Sequence, residues 1–91
     1  MSKSQNDDKN LQNELKNETL RWLKRIEEES RKIRANKANK DGKEFFENIK
    51  AYIDDTRYFL EKNDLIRAFE CVVWAWAWLE IGLRIGLLDY S

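Results

Sequence analysis

Apolar residues along this chain recur at helical rather than alternating spacing, in three series separated by polar breaks. The first is Leu11, Leu15, Trp22, Ile26 and Ile33, in steps of four and seven, which places it on one side of a helix from about 10 to 38. Glu18 and Glu29 interrupt that series, and Leu20 and Leu23 lie off its centre. The stripe is therefore thin, and the helix reads as peripheral. In "ANKANKDGKE", Asp41 with Glu44 three residues on has the pattern of an N-cap and capping box. A second helix follows, about 42–62, with a broad core-facing stripe: Phe45, Ile49, Tyr52, Thr56 and Phe59, flanked by Phe46, Ile53 and Leu60. In "EKND", Asn63 suits the left-handed residue that ends a helix and Asp64 suits the N-cap of the next. So short a link makes helices two and three antiparallel neighbours. It predicts Phe59 and Leu60 near Phe69, Tyr52 near Trp76, and Phe45 near Leu83 and Leu87.

The third series, "CVVWAWAWLEIGLRIGLL" from Cys71 to Leu88, admits three readings. As a strand it would align Trp74, Trp76 and Trp78, but the alternation stops there and a lone strand has no partner. As a membrane span it would bury Glu80 and Arg84 at bilayer depth, where each is costly; four residues apart, they have the spacing of a surface ion pair. As a helix over about 65–88 it carries two apolar stripes. Leu65, Phe69, Val72, Trp76, Leu79, Leu83 and Leu87 form one; Trp74, Trp78, Ile81, Ile85 and Leu88 form the other, on nearly the opposite side. Glu70, Glu80 and Arg84 occupy one margin between them, and Ala68, Ala75, Gly82 and Gly86 the other. The Gly82/Gly86 spacing reads as close helix packing rather than a membrane dimer motif. Helix two covers one stripe. The second needs helix one, a second copy of the chain or another protein, because an uncovered Trp-bearing stripe would rival or exceed the largest apolar patch of an ordinary monomer. Helix one is the simplest cover.

Composition narrows the chemistry. Ninety-one residues make one small domain, here 10–91, preceded by a polar stretch, 1–9, that reads as flexible and not as a secretion signal. There is no histidine, no cysteine pair and no phosphate-binding glycine loop, which removes the commonest general base and the commonest zinc and nucleotide motifs. Glu27, Glu28 and Glu29 fan around a helix, and Asp54 and Asp55 diverge. Neither set converges on an ion. Cys71 alone fits a reducing cytoplasm and reads as a buried, inert thiol, and Tyr58 as a half-buried packing residue. The expectation is a protein that is not an enzyme and has no cofactor or metal.

The net charge of zero hides halves of +4 (1–43) and −4 (44–91). The positive half ends in "RKIRANKANKDGK", where Arg31, Lys32, Arg34, Lys37, Lys40 and Lys43 could bind phosphates. No aromatic platform accompanies them in the sequence, and cations also suit a helix C-terminus, helix one's here, on electrostatic grounds.

"YFLEKNDLIRAFECVVWAWAWLEIGLRIGLL", Tyr58 to Leu88, resembles the archaeal domain-of-unknown-function family numbered three-five-seven. The resemblance rests on the "LEKxD" turn, "RAFE" and an aromatic helix closing with Leu, Gly and Leu. It implies a partly open, up-and-down three-helix bundle and carries no assigned activity. The reading is thus an all-α, antiparallel three-helix bundle with its C-terminal helix central. It would act as a protein-interaction or self-association module, possible homodimer included, through Trp74, Trp78, Ile81, Ile85 and Leu88. RNA or DNA binding by the segment 31–43 is the alternative.

Overall fold

Two residues in the left-handed region, Asn63 (φ 55°) and Gly86 (φ 80°), fix where two of the helices stop. The computed structural model describes residues 2–91, with side chains from Lys9 onward. In chain order it contains α1 (Ser2–Ser30), β1 (Ile33–Ala35), α2 (Asp41–Glu61), α3 (Leu65–Arg84) and β2 (Leu88–Tyr90). Of the stretch expected to be flexible, 1–9, all side chains but that of Lys9 lie outside the described residues.

At the end of α2, Asn63 N donates to Leu60 O (3.0 Å) and Asp64 N to Phe59 O (2.9 Å). This crossed pair occupies carbonyls the helix would leave unpaired, and asparagine tolerates the required φ. Asp64 then caps α3. Its carboxylate accepts from Arg67 N (3.2 Å) and Arg67 Nη1 (2.7 Å). Those bonds, the side-chain one foremost, hold its carboxyl below the ordinary range.

The same crossed pattern ends α3. Gly86 N donates to Leu83 O (3.4 Å) and Leu87 N to Gly82 O (2.8 Å). The helix therefore stops at Arg84 and not at 88, because Gly86 turns the chain back on itself. Helix one likewise stops at Ser30 rather than 38. Ile33, which keeps step with the helical stripe, instead sits in β1. β1 and β2 pair antiparallel, with Ile33 opposite Tyr90, Arg34 opposite Asp89 and Ala35 opposite Leu88. Ser91 N adds a bond to Lys32 O (2.7 Å), and Asn36 N donates to Leu87 O (2.9 Å). Three-residue strands are too short to show alternation, so periodicity reads them as helix. The start of α2 differs too. Lys40 holds the N-cap position without a side-chain cap bond, and Asn39 Oδ1 accepts from Asp41 N (3.0 Å). The expected Asp41–Glu44 capping box is not formed.

The bundle is all-α apart from that two-stranded bridge, antiparallel and partly open, with α3 packed against both other helices. Leu23 and Ile26 of α1, Ile49 and Ile53 of α2, and Val72, Ala75 and Leu79 of α3 form the core, closed by Ile33 and Leu88 at the bridge. Buried Thr19 and Thr56 satisfy their hydroxyls on the carbonyls of Leu15 and Tyr52 (2.7 Å each). Glu18, which interrupts the stripe of helix one, accepts from Trp22 Nε1 (2.6 Å) and Arg21 (3.1 Å). Arg57 joins α2 to Glu27 of α1.

The helices share α3 differently from the expected scheme. α1 covers the first stripe: Trp22 meets Trp76 edge-on at 5.7 Å, and Trp76 Nε1 donates to Trp22 O (3.1 Å). α2 lies over the small-residue margin, where Ala68, Ala75 and Gly82 are buried. Its aromatics reach the near edge of the second stripe. Tyr52 stacks on Trp74 (6.3 Å) rather than Trp76, and Phe45 meets Trp78 edge-on (4.5 Å). Small residues admit a helix closely, so α2 settles on them, and the indoles stand beside it.

Candidate functional site

With α1 and α2 on two sides of α3, its third side faces water. That face bears Ile66 (68% exposed), Val73 (47%), Trp74 (54%), Ile81 (50%) and Ile85 (60%). Half-buried Ala77 lies among them, with Glu70 and Arg84 exposed on the same strip. At about 100° per residue, Ile66, Glu70, Val73, Ala77, Ile81 and Arg84 fall within an arc of roughly 80°. Glu70, Glu80 and Arg84 take part in no ion pair among the described residues. The spacing of Glu80 and Arg84 thus does not produce the expected pair.

Of the five residues expected at an interaction surface, Trp74, Ile81 and Ile85 belong to this face. Leu88 does not: it is 1% exposed, because the turn at Gly86 carries it into β2 and under the core. Trp78 is half-buried against Phe45, with Nε1 enclosed and without a hydrogen-bond partner among the described residues. Ile66 and Val73 were missed because they fall in the margin marked by Glu70, Glu80 and Arg84, which reads as polar. The signal was a seven-residue repeat, Ile66/Val73 beside Glu70/Ala77/Arg84. Cys71, half-buried, has its thiol pushed up by burial, with the Asp55 and Glu70 carboxylates adding to the effect. It is a poor nucleophile. Tyr58 is exposed rather than half-buried, edge-on to Phe59 at 5.2 Å.

The six cations do not act as one helix end. The last turn of α1 holds none. Arg31 and Lys32 lie in the turn after α1, Arg34 in β1, Lys37 and Lys40 in the following loop, and Lys43 in the first turn of α2. All six are exposed. Lys32 pairs with Glu29 (3.5 Å) and Lys43 with Glu47 (3.9 Å). Arg34, Lys37, Lys40 and Lys43 share an open recess of ≈ 550 Å³ with Phe46; Arg31 and Lys32 do not line it. Phe46 is the aromatic that sequence reading did not place near the cations. It lies three residues beyond Lys43 on α2, and Lys50 Nζ approaches its ring to 4.8 Å.

Residues 21–88 match the family described as a protein of unknown function, DUF357. The chain belongs to the DUF357 family. It is similar to a solved member, the crystal structure of protein AF1782 from Archaeoglobus fulgidus. The two are 58% identical, with a TM-score of 0.81, over 89% of this chain and 99% of that one. No curated protein matches it. The three-helix architecture is thus shared with an archaeal DUF357 relative, and the family brings no assigned activity to carry over. Among the described residues, no helix of this DUF357 chain is long and apolar enough to cross a membrane.

Proposed function

We propose that this DUF357 chain is a non-enzymatic protein-interaction module of the cytoplasm whose docking surface is the outer face of α3. The observation that carries the reading is the run Ile66, Val73, Trp74, Ile81 and Ile85, each about half exposed or more. A Trp side chain alone presents about 200 Å². The five together leave on the order of 500 Å² of apolar side chain in water, near the upper end for the largest patch on a monomer. Trp and Ile also serve as anchors: rigid, large, and costly to leave solvated. A photo-crosslinking residue at Val73, introduced in the native cell, is expected to form a protein adduct, while one at Lys50 on α2 is not. Absence of any Val73 adduct sinks the reading.

Single-stranded nucleic-acid binding is the second reading, and Phe46 is the observation that favours it. An aromatic among Arg34, Lys37, Lys40 and Lys43 supplies the base-stacking element that the basic segment alone lacks. Filter binding of a single-stranded RNA is expected to show log K falling against log salt with a slope of about −3, as four phosphate contacts require. Phe46→Leu would weaken binding without altering that slope, and Lys37→Ala with Lys40→Ala would reduce it. No retention at low salt ends this reading.

A further inference from the structure

We propose that the partner at α3 is a second copy of this chain, paired antiparallel about a twofold axis at Ala77, with Glu70 of each copy facing Arg84 of the partner subunit. This rests on the docking reading above and specifies its occupant.

The argument is one of register. Glu70 and Arg84 each stand seven residues from Ala77, and Val73 and Ile81 each stand four from it. A twofold axis at Ala77 therefore sets Val73 against Ile81 of the partner subunit, apolar on apolar, and does so twice. It also sets Glu70 against Arg84 of the partner subunit twice, pairing opposite charges. The parallel alternative sets Glu70 against Glu70 of the partner subunit and Arg84 against Arg84 of the partner subunit, so charge selects the antiparallel arrangement. Among the described residues neither side chain takes part in an ion pair, whereas Arg67 on the same helix is held by Asp64. An acidic and a basic side chain thus stand exposed on an apolar strip, open to a partner carrying the complementary pair.

Shape agrees with charge. Ala77, the small residue of the strip, falls at the crossing point, where a short side chain permits close helix approach. Glu70 to Arg84 spans about 21 Å of helix, all on the side left open by α1 and α2. The contact is isologous and closes on itself, giving a dimer rather than a fibre. Its size suffices as well. A standard interface buries about 800 Å² per partner, and homodimer interfaces are about 65% apolar. The strip of roughly 500 Å² meets that need when Ile66 and Ile85, just beyond Glu70 and Arg84, join Val73, Trp74 and Ile81 in the contact.

Sedimentation velocity of the full chain from low to high micromolar concentration is expected to show a monomer–dimer equilibrium. Glu70→Arg and Arg84→Glu should each weaken homodimerisation on the order of tenfold or more, since each brings like charges together at two symmetric places. Circular dichroism should show both variants folded, because both positions are exposed. An equimolar mixture of the two singly substituted chains should dimerise about as well as the parent. In that mixed pair both contacts join opposite charges, at one site with the parental charges and at the other with them reversed. A parent dimer that is indifferent to both substitutions, or a mixture that fails to recover, overturns the register while leaving self-association intact. A parent that stays monomeric at high micromolar concentration overturns the second copy as partner. A Val73 adduct with a different protein would then still support the docking surface.

Discussion

Ile49→Ala lowers the stability of the monomer by about 2–5 kcal/mol, whereas Ile81→Ala leaves it within about 0.5 kcal/mol. The two substitutions remove the same atoms from helices of similar length. They differ in surroundings. Ile49 is fully buried among Leu23, Ile26, Val72 and Leu79, where three helices meet. Its removal forfeits transfer free energy and leaves a cavity that close-packed neighbours fill only in part. Ile81 is half exposed on the outer face of α3, so truncation removes little that the monomer buries. A domain of this size has a total stability of about 5–15 kcal/mol, so Ile49→Ala consumes a large share of it. Its Tm should fall by roughly 10 °C or more, and the urea midpoint should drop with an unchanged slope. Thermal melts at concentrations low enough to keep the chain monomeric check both. Equal losses for the two variants would place the core elsewhere. At higher concentration the ranking changes, because Ile81 then lies in the proposed dimer contact and Ile81→Ala acts on association.

The contrast between Ile49 and Ile81 also marks how far the sequence could be read. Helix two was the most legible because Phe45, Ile49, Tyr52, Thr56 and Phe59 repeat at helical spacing over about four turns, a signal only an amphipathic helix produces. The turn between helices two and three was legible because Asn63 and Asp64 carry local chemistry that acts within four residues. The bridge was not. Ile33 and Leu88 each extend a helical apolar series, and only contacts across the whole chain, between Ile33–Ala35 and Leu88–Tyr90, decide that they belong to strands. The site was half legible. Trp74, Ile81 and Ile85 could be placed on α3 by angle alone, but which angle faces water depends on where α1 and α2 settle. They settle by size: α2 on the alanines and Gly82, α1 against Trp76. That choice half-buried Trp78 against Phe45 and exposed Val73 and Ile66, while the turn at Gly86 took Leu88 out of the helix and into β2. The recess around Phe46 was hidden for a related reason, since the loop 36–40 folds back over the first turns of α2.

Gly42→Ala is expected to destabilise the protein by about 1–3 kcal/mol, although alanine is the better helix former and Gly42 stands in the first turn of α2. Propensity alone favours the substitution by about 1 kcal/mol, and reduced freedom of the unfolded chain adds to that. Packing opposes both. A Cβ at this position would stand 2.4 Å from Leu87 O, 3.1 Å from Asn36 N and 3.2 Å from Asn36 O. All three are backbone atoms, so no side-chain rotation relieves the contact. Leu87 O is moreover the acceptor for Asn36 N at 2.9 Å. Moving it away from the new methyl stretches the bond that ties the loop after β1 to the chain leaving α3. The backbone clash therefore decides the sign. The expected result is a Tm lower by roughly 5 °C or more, with hydrogen-exchange protection lost at the Asn36 amide and retained at core positions such as Ile49 and Val72. Because the loop that moves carries Lys37 and Lys40, the recess around Phe46 should open with it, while the outer face of α3 and any pairing through it stay unchanged. A Gly42→Ala protein as stable as the parent, with the Asn36 amide still protected, would show that the backbone at Leu87 and Asn36 does not press on the start of α2.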